Sequence, residues 1–405
     1  MKPFFEAQGV RIYHGDCREV IPQLDTEFTA CITDPPYGLQ FMGRDWDHDV
    51  PGPEYWEIVL NALLPGAPLF AFSGTRTFHR QWCAIEDAGF DLVDTLSWNY
   101  GSGFPKSHDV SKAIDKEKGV KRTDVIATRS RNVKPFDDSK GWNQNSTTGS
   151  HQYKAPATPE AETWDGWGSA LKPSWEPVCY AIKPREGTYA ANALKHGVAG
   201  LNIDAARIET KGERPNLRRS DADTGRQEKY GDFKQGTSRA DGTTTQGRWP
   251  ANVVLDEEAA KQLDEETGTL HSGYMKPGTK RNADMGYHGG VKKESATDHG
   301  TYGDSGGPSR FFYTSKASKS DRTKGMPGDA VNTHPTVKPT DLIGWLVKLA
   351  TYPEKNHILD PFCGSGPLAY VASRMGIEAT LIDQDEESCE LAALRLQGQQ
   401  SLFGQ

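Results

Sequence analysis

The sequence predicts an α/β fold, doubly wound around a mostly parallel sheet. Three observations support this. Short apolar runs of strand length alternate with stretches of helical periodicity at both ends of the chain. Two of those runs end in rigid acidic turns, Asp34-Pro35-Pro36-Tyr37 and Asp360-Pro361-Phe362-Cys363-Gly364-Ser365-Gly366. Turns just beyond strand ends are where open α/β sheets bind ligands.

Taken in order, residues 10–16 alternate like a strand and end in Gly15-Asp16, and 17–24 fit a short helix. Residues 28–32 form an apolar strand, stopped by two prolines that cannot donate a backbone hydrogen bond and that fix φ. Residues 54–64 read as a helix closed by Pro65-Gly66, 67–73 as a strand, 78–88 as a helix closed by Gly89, and 90–100 as a strand. The pattern changes at Gly101. Residues 101–175 are polar, with one helix near 110–118, and 177–183 form a clear strand. Residues 211–247 and 271–309 are rich in Gly, Ser, Thr, Asp and Lys, too long for plain loops, so each is functional or without fixed structure. Between and after them, 249–255 and 310–315 resemble strands and 256–266 a helix. Alternation resumes with helix 339–351, strand 357–359, helix 367–375, strand 379–382 and helix 386–397.

With 405 residues the chain can bury a large core. Its net charge of −8 argues against a protein that simply coats nucleic acid, but the charge is uneven. Residues 105–322 carry a net +5 and the remainder −13, which suits equally a catalytic body with an inserted module facing a polyanion and a merely solvated insertion. The arginines at 214, 218, 219, 226, 239 and 248 could reach DNA, although most fit solvated loop charges better. Six cysteines form no Cys-x-x-Cys pair, which suggests reduced thiols in a cytoplasmic protein with neither disulfide framework nor metal site. No apolar run approaches a membrane span, so no membrane partner is expected.

The glycine-containing turn brings backbone N–H groups and the positive end of a helix to a polar ligand. Pro367 suits the first helical position, and Asp383, ending the next strand, is placed to accept hydrogen bonds from ribose hydroxyls. Gly364 to Ala369 fits G-x-G-x-x-A, which does not separate a nicotinamide dinucleotide from an adenosyl-methionine site. At Asp34-Pro35-Pro36-Tyr37 the acid and the Pro35 carbonyl can accept the two N–H groups of an amine. The ring of Tyr37 can stack on a planar group. Trp98 and Tyr100, ending the strand before Gly101, fit a second pocket wall or core packing. The Trp, Tyr and Arg mix in 142–185 could stack bases.

Together, the Asp-Pro-Pro-Tyr turn, the later glycine loop and His334-Pro335-Thr336-Val337-Lys338-Pro339 resemble the DNA amino-methyltransferases, which act on N6 of adenine or N4 of cytosine. The order is the β-type one, with the catalytic motif first and the cofactor motif last. Gly15-Asp16 is similar to the family's pair near the cofactor adenine. The stretches 101–107 and 171–177 look like those of phage and prophage members. Pro367 departs from the pattern, since relatives often carry Thr there.

The resemblance implies a seven-stranded sheet with one antiparallel strand. It divides the chain into a catalytic half (1–105), a target-recognition insertion (106–333, with strand 177–183 returning to the main sheet) and a cofactor half (334–405). It implies S-adenosyl-L-methionine as cofactor and DNA as substrate. Asp34, Pro35, Pro36 and Tyr37 would be catalytic. Asp16, Asp34, His334, Thr336, Lys338, Asp360, Phe362, Gly364, Ser365, Gly366 and Asp383 would contact the cofactor. Trp98 and Tyr100 would face the target base, and Lys106 and Lys172 the phosphates. Relatives act as homodimers or beside a cognate restriction nuclease, in restriction–modification or in phage, and the residues fix neither partner. Asp34 favours adenine, whereas Ser at this position leans toward cytosine N4. An RNA or protein amide methyltransferase usually has the reverse motif order. A nicotinamide-dependent oxidoreductase and a non-catalytic DNA-binding protein are the alternatives from other classes. Pro-Cys is absent, as is a zinc-deaminase signature, which leaves carbon-5 methylation and deamination without support.

Overall fold

The computed structural model describes residues 1–39, 49–101, 103, 107–129, 151–210, 247–271, 280–281, 295–296, 305–316, 319–328, 330–332, 334 and 337–403. The chain forms two compact units, one of residues 1–102 and 175–405, the other of 103–174.

The larger unit is built on a ten-stranded sheet. In chain order its strands are β1 (Phe5–Ala7), β2 (Val10–His14), β3 (Ala30–Thr33), β4 (Pro68–Phe72) and β5 (Asp91–Asn99). There follow β6 (Trp175–Ile182), β7 (Val253–Asp256), β8 (Tyr313–Ser315), β9 (His357–Asp360) and β10 (Glu378–Asp383). Their spatial order is β1-β2-β10-β9-β3-β4-β6-β5-β7-β8. The seven central strands, β2 to β5 in that order, are parallel except β6, which runs antiparallel to both β4 and β5.

The sheet therefore has three strands beyond the expected seven, all at its edges. β7 and β8 extend it in parallel past β5, and so cover an edge that would otherwise present unpaired backbone groups. β1 folds back on β2 through Gln8-Gly9, where φ is +52° and +78°. Two successive positive φ values make a primed hairpin turn.

Helices cover both faces. Along β3, Cys31 points into a core with Phe28, Trp56, Leu63 and Ile85, while Ala30 and Ile32 point into another with Phe70, Leu342, Trp345 and Leu346. Successive strand residues face opposite ways, so one short strand serves both layers. A third cluster packs Ala369 and Ala372 of helix Pro367–Met375, together with Ala392 and Leu396, over Val10, Ile12, Ala379 and Leu381. The chain steps outward from β9 to β10 on one side and from β3 to β4 on the other. The reversal lies between β9 and β3. The crevice at such a switch point is the expected ligand site.

Most predicted elements have their expected ranges. The helix expected at 17–24 is α-helical only over Cys17–Val20 and continues as a 3₁₀ turn, Ile21–Gln23, where Pro22 removes a donor. The smaller unit contains helix Val110–Glu117, short helix Pro159–Thr163 and the hairpin Val125–Arg129/His151–Lys154. Its centre is polar: buried Asp115 binds Arg122 Nε at 2.6 Å, Thr158 Oγ1 at 2.8 Å and the Ala157 amide at 3.1 Å. Five cysteines are buried thiols and Cys83 is exposed. Among the described residues no helix is long and apolar enough to cross a membrane.

Candidate active site

Four neighbouring parallel strands, β2, β10, β9 and β3, each lead into an aspartate: Asp16, Asp383, Asp360 and Asp34. The four acids therefore line one edge of the sheet, at and beside the switch point. Their environments differ.

Asp34 follows the buried Thr33 at the end of β3 and keeps its side chain 27% exposed. Its Oδ2 lies 2.8 Å from Lys338 Nζ, and its Oδ1 accepts a 2.7 Å hydrogen bond from the Tyr37 hydroxyl. Lys338 Nζ also lies 3.1 Å from Glu176 Oε2 and donates to the Tyr37 oxygen at 2.9 Å. The Tyr37 hydroxyl is 3.2 Å from Glu176 Oε2. It has one proton, and the shorter approach gives that proton to Asp34. Burial, then the Asp34 and Glu176 carboxylates, push the Tyr37 phenol well above its ordinary range, so it remains a donor. For Lys338, burial disfavours the charge, but the two carboxylates outweigh it and hold the ammonium above its ordinary value.

The loop after β3 is tightly held. Thr77 Oγ1 donates to the Tyr37 carbonyl at 2.6 Å. A Cβ on Gly74 would lie 3.2 Å from Tyr37 Cδ2 and 3.3 Å from Leu39 Cδ1, so this position has room for little more than glycine. Pro35 is buried and Pro36 partly exposed.

Asp360 is buried, with no cation paired to it among the described residues. Thr33 Oγ1 donates to its Oδ1 at 2.7 Å, and the Phe362 amide does so at 3.2 Å. Burial, opposed by these hydrogen bonds and reinforced by Asp34 and Asp383, raises its pKa to about 7. Asp383 closes the glycine loop, accepting from the Gly364 amide at 2.8 Å and the Asp385 amide at 3.0 Å. Both oxygens keep a second lone pair for further donors. Gly364 and Gly366 have φ of +50° and +68°, in the left-handed region. A Cβ on Gly366 would stand 2.5 Å from that of Ala392, and one on Gly364 would stand 3.1 Å from His334 Nε2. The loop is thus pressed between the last helix and His334. The Ser365 hydroxyl is buried with no partner among the described residues.

Arg395 anchors this loop from behind. The fully buried guanidinium donates to Ser365 O at 2.7 Å, Lys324 O at 2.6 Å and Arg322 O at 3.0 Å. Arg322 in turn donates to His334 O at 3.1 Å. Asp16 caps the helix Cys17–Val20 and pairs with Arg18 at 2.6 Å, whose hydrogen bonds hold its carboxyl below the usual range. The Arg18 guanidinium lies over the Tyr55 ring, and that ring meets Phe362 at 6.0 Å.

The structure brings Asp34, Tyr37, Trp98, Tyr100 and Lys338 to one end of the sheet. Trp98 is the cross-strand partner of Glu176 and its ring centroid is 5.3 Å from that of Tyr100. The buried Trp98 Nε1–H has no acceptor among the described residues. Burial, then Glu176, pushes the Tyr100 phenol up to about 12. Lys172 is exposed and belongs to the smaller unit. Lys106 and Thr336 lie outside the described residues, as do most of 211–247 and 271–309. Sequence reasoning missed Glu176 and Arg395. The available signal for Glu176 was a charged residue opening an otherwise apolar strand.

A family model described as DNA methylase (N6_N4_Mtase) matches residues 28–394. The chain belongs to this family of N6/N4 DNA methylases. Among curated relatives, the Type II methyltransferase M2.DpnII of Streptococcus pneumoniae is 41% identical over 66 residues, 16% of this chain and 24% of that protein. The Type II methyltransferase M.HindIII of Haemophilus influenzae is 24% identical over 238 residues, 47% of this chain and 64% of that protein. The chain thus matches a quarter to under two thirds of these methylases. Among solved structures, the cytosine-N4-specific PvuII DNA methyltransferase aligns over 97% of this chain and 88% of its own, with TM-score 0.46 and 12% identity. The M1.HpyAVI–SAM complex aligns over 96% and 99%, with TM-score 0.38 and 13% identity.

Proposed function

We propose that this N6/N4 DNA methylase transfers a methyl group from S-adenosyl-L-methionine to the exocyclic N6 of adenine at a specific DNA sequence. The observation that carries the reading is Asp34, a partly exposed carboxylate fixed at the switch point by Lys338 and Tyr37.

The residues fit a cationic nucleoside cofactor. Four aspartates line the edge on which a sulfonium and an ammonium would lie, and Asp383 has lone pairs for ribose hydroxyls beside the loop amides. The unpartnered Ser365 hydroxyl is a further polar group beside them. When bound, the cofactor supplies an electrophilic methyl group on sulfur.

The chain's part is orientation. An adenine amino nitrogen is conjugated with its ring and is a poor nucleophile. Asp34 accepts one N–H and the Pro35 carbonyl the other, which turns the lone pair out of the ring plane toward the methyl group. Asp34 would stabilise the positive charge that the amine gains on methylation and would accept the proton it sheds. Such positioning and electrostatic stabilisation account for most of the barrier lowering in direct transfers. Tyr37, Trp98 and Tyr100 wall the pocket for a base that must leave the duplex. An aspartate at position 34 favours adenine over cytosine. Similarity to Type II methyltransferases supports modification at a short site, of the kind that accompanies a cognate nuclease.

The test is incubation of unmodified plasmid with the purified protein and S-adenosyl-L-methionine, followed by nucleoside analysis. N6-methyladenine is expected. N4-methylcytosine, or no methylated base, would overturn the assignment.

A further inference from the structure

The arrangement around Lys338 assigns two residues a task that no motif gives them. Lys338 stands immediately before the helix Thr340–Leu349, with only Pro339 between, and Glu176 lies on β6 opposite Trp98. Glu176 is therefore set by the sheet, and Lys338 stands two residues ahead of a helix. They meet at Asp34, 304 residues before Lys338 in the sequence.

The ammonium has three protons and three acceptors within reach: Asp34 Oδ2 at 2.8 Å, Glu176 Oε2 at 3.1 Å and the Tyr37 oxygen at 2.9 Å. Its side chain is 7% exposed, and the Phe72 and Tyr37 rings lie 5.1 and 5.2 Å away. Cation–π attraction offsets part of the cost of removing the charge from water. With Lys338 in place, two carboxylates share one cation and carry one net negative charge. Without it, Asp34 and Glu176 would face each other across a single hydroxyl, and two such acids take up a shared proton at higher pH. A carboxylate that has taken that proton cannot accept the hydrogen of a target amine.

We propose that Lys338 and Glu176 are positioning residues: the ammonium, held between the two carboxylates, keeps Asp34 ionised and fixes its orientation for the target amine. The inference rests on the reading of Asp34 as the amine acceptor. It also accounts for the placement of Lys338 against Asp34. The other titratable groups facing the cluster among the described residues are Tyr37, Tyr100 at the end of β5 and Asp360 at the end of β9; Asp256 faces Tyr100. Asp360 changes charge near pH 7, so a readout specific to Asp34 is needed.

That readout is the carboxyl carbon shift of Asp34 in full-length protein labelled with ¹³C-aspartate, assigned by its loss in Asp34→Asn. In Lys338→Met the Asp34 signal should take up its proton about two pH units higher than in the wild type. Lys338→Met/Glu176→Gln should move back by about one unit or more, because the second acid is gone. Glu176→Gln alone should move to lower pH, since Asp34 then has the ammonium to itself. An unchanged titration in Lys338→Met, or an upward move in Glu176→Gln, would overturn the proposal; if Lys338→Met does not fold, Glu176→Gln alone decides. The acid limb of the kcat–pH profile should follow the same order. If the carboxyl titrates as expected and methyl transfer does not follow it, the role of Asp34 as amine acceptor fails while its positioning by Lys338 and Glu176 stands.

Discussion

Asp34 and Asp360 end neighbouring parallel strands and are linked through Thr33, yet the protein treats them in opposite ways. Asp34 has solvent, an ammonium and a phenol. Asp360 has burial, a hydroxyl and an amide, and its pKa rises to about 7. A buried acid without a cation lowers its cost by holding a proton, whereas a partly exposed acid beside an ammonium has an opposite charge to offset its own. The first is suited to holding two strands together, the second to accepting a hydrogen bond from a substrate.

The strongest way to break this contrast is Asp34→Ala. Methyl transfer should fall by about 10³-fold or more, while cofactor affinity measured by calorimetry stays within a few-fold. Next is the pH dependence of stability. Asp360 has a raised folded pKa, so its contribution is fully present below about pH 4 and is lost as pH rises through about 7, on the order of 4 kcal/mol in all. His357 is opposite: burial depresses its pKa to about 4, so its contribution is present above about pH 6.5 and is lost on acidification, on the order of 3 kcal/mol. The two nearly offset between pH 4 and 6.5. Asp360→Asn should remove one slope, so that urea midpoints rise from pH 4 to 6.5 and stop falling toward pH 7. A midpoint profile like the wild type's would mean that Asp360 is ionised throughout.

Asp383→Ala should weaken cofactor binding by about 10- to 100-fold, because the Gly364 amide loses its acceptor together with any ribose contact. An unchanged dissociation constant would argue against that role. Gly74→Ala should have the smallest effect. Its Cβ would push on Tyr37 and Leu39 from 3.2 and 3.3 Å, moving the ring by a few tenths of an ångström and lowering kcat a few-fold at unchanged stability within about 1 kcal/mol.

Much of the fold was legible because the strands that form its centre carry local signals. β3, β4, β9 and β10 are apolar runs closed by Pro, Gly or Asp, and the helix after β9 ends at Gly376. The parts that were not legible depend on non-local placement. β1 was missed because a Gln-Gly turn is a weaker hairpin signal than Asn-Gly or Asp-Gly. Helix Tyr189–His196 was missed because Asn192 is its only buried residue, which leaves no apolar stripe to read. The segments of β7 and β8 read as strands, but nothing in them says that they continue the main sheet. At the site, Asp34 and the glycine loop announced themselves through local turn chemistry. Glu176 carried no reading of its own within the stretch 171–177, since its value comes from the register that sets it opposite Trp98. Lys338 was found by resemblance alone, and its distance from Asp34 follows only from the sheet order.

The most direct test of the central claim is single-molecule sequencing of unmodified plasmid treated with the wild type and, in parallel, with Asp34→Ala. The account predicts N6-methyladenine at one recurring sequence with the wild type and no mark with the variant. Equal marks from both proteins, or a mark on cytosine N4, would contradict it.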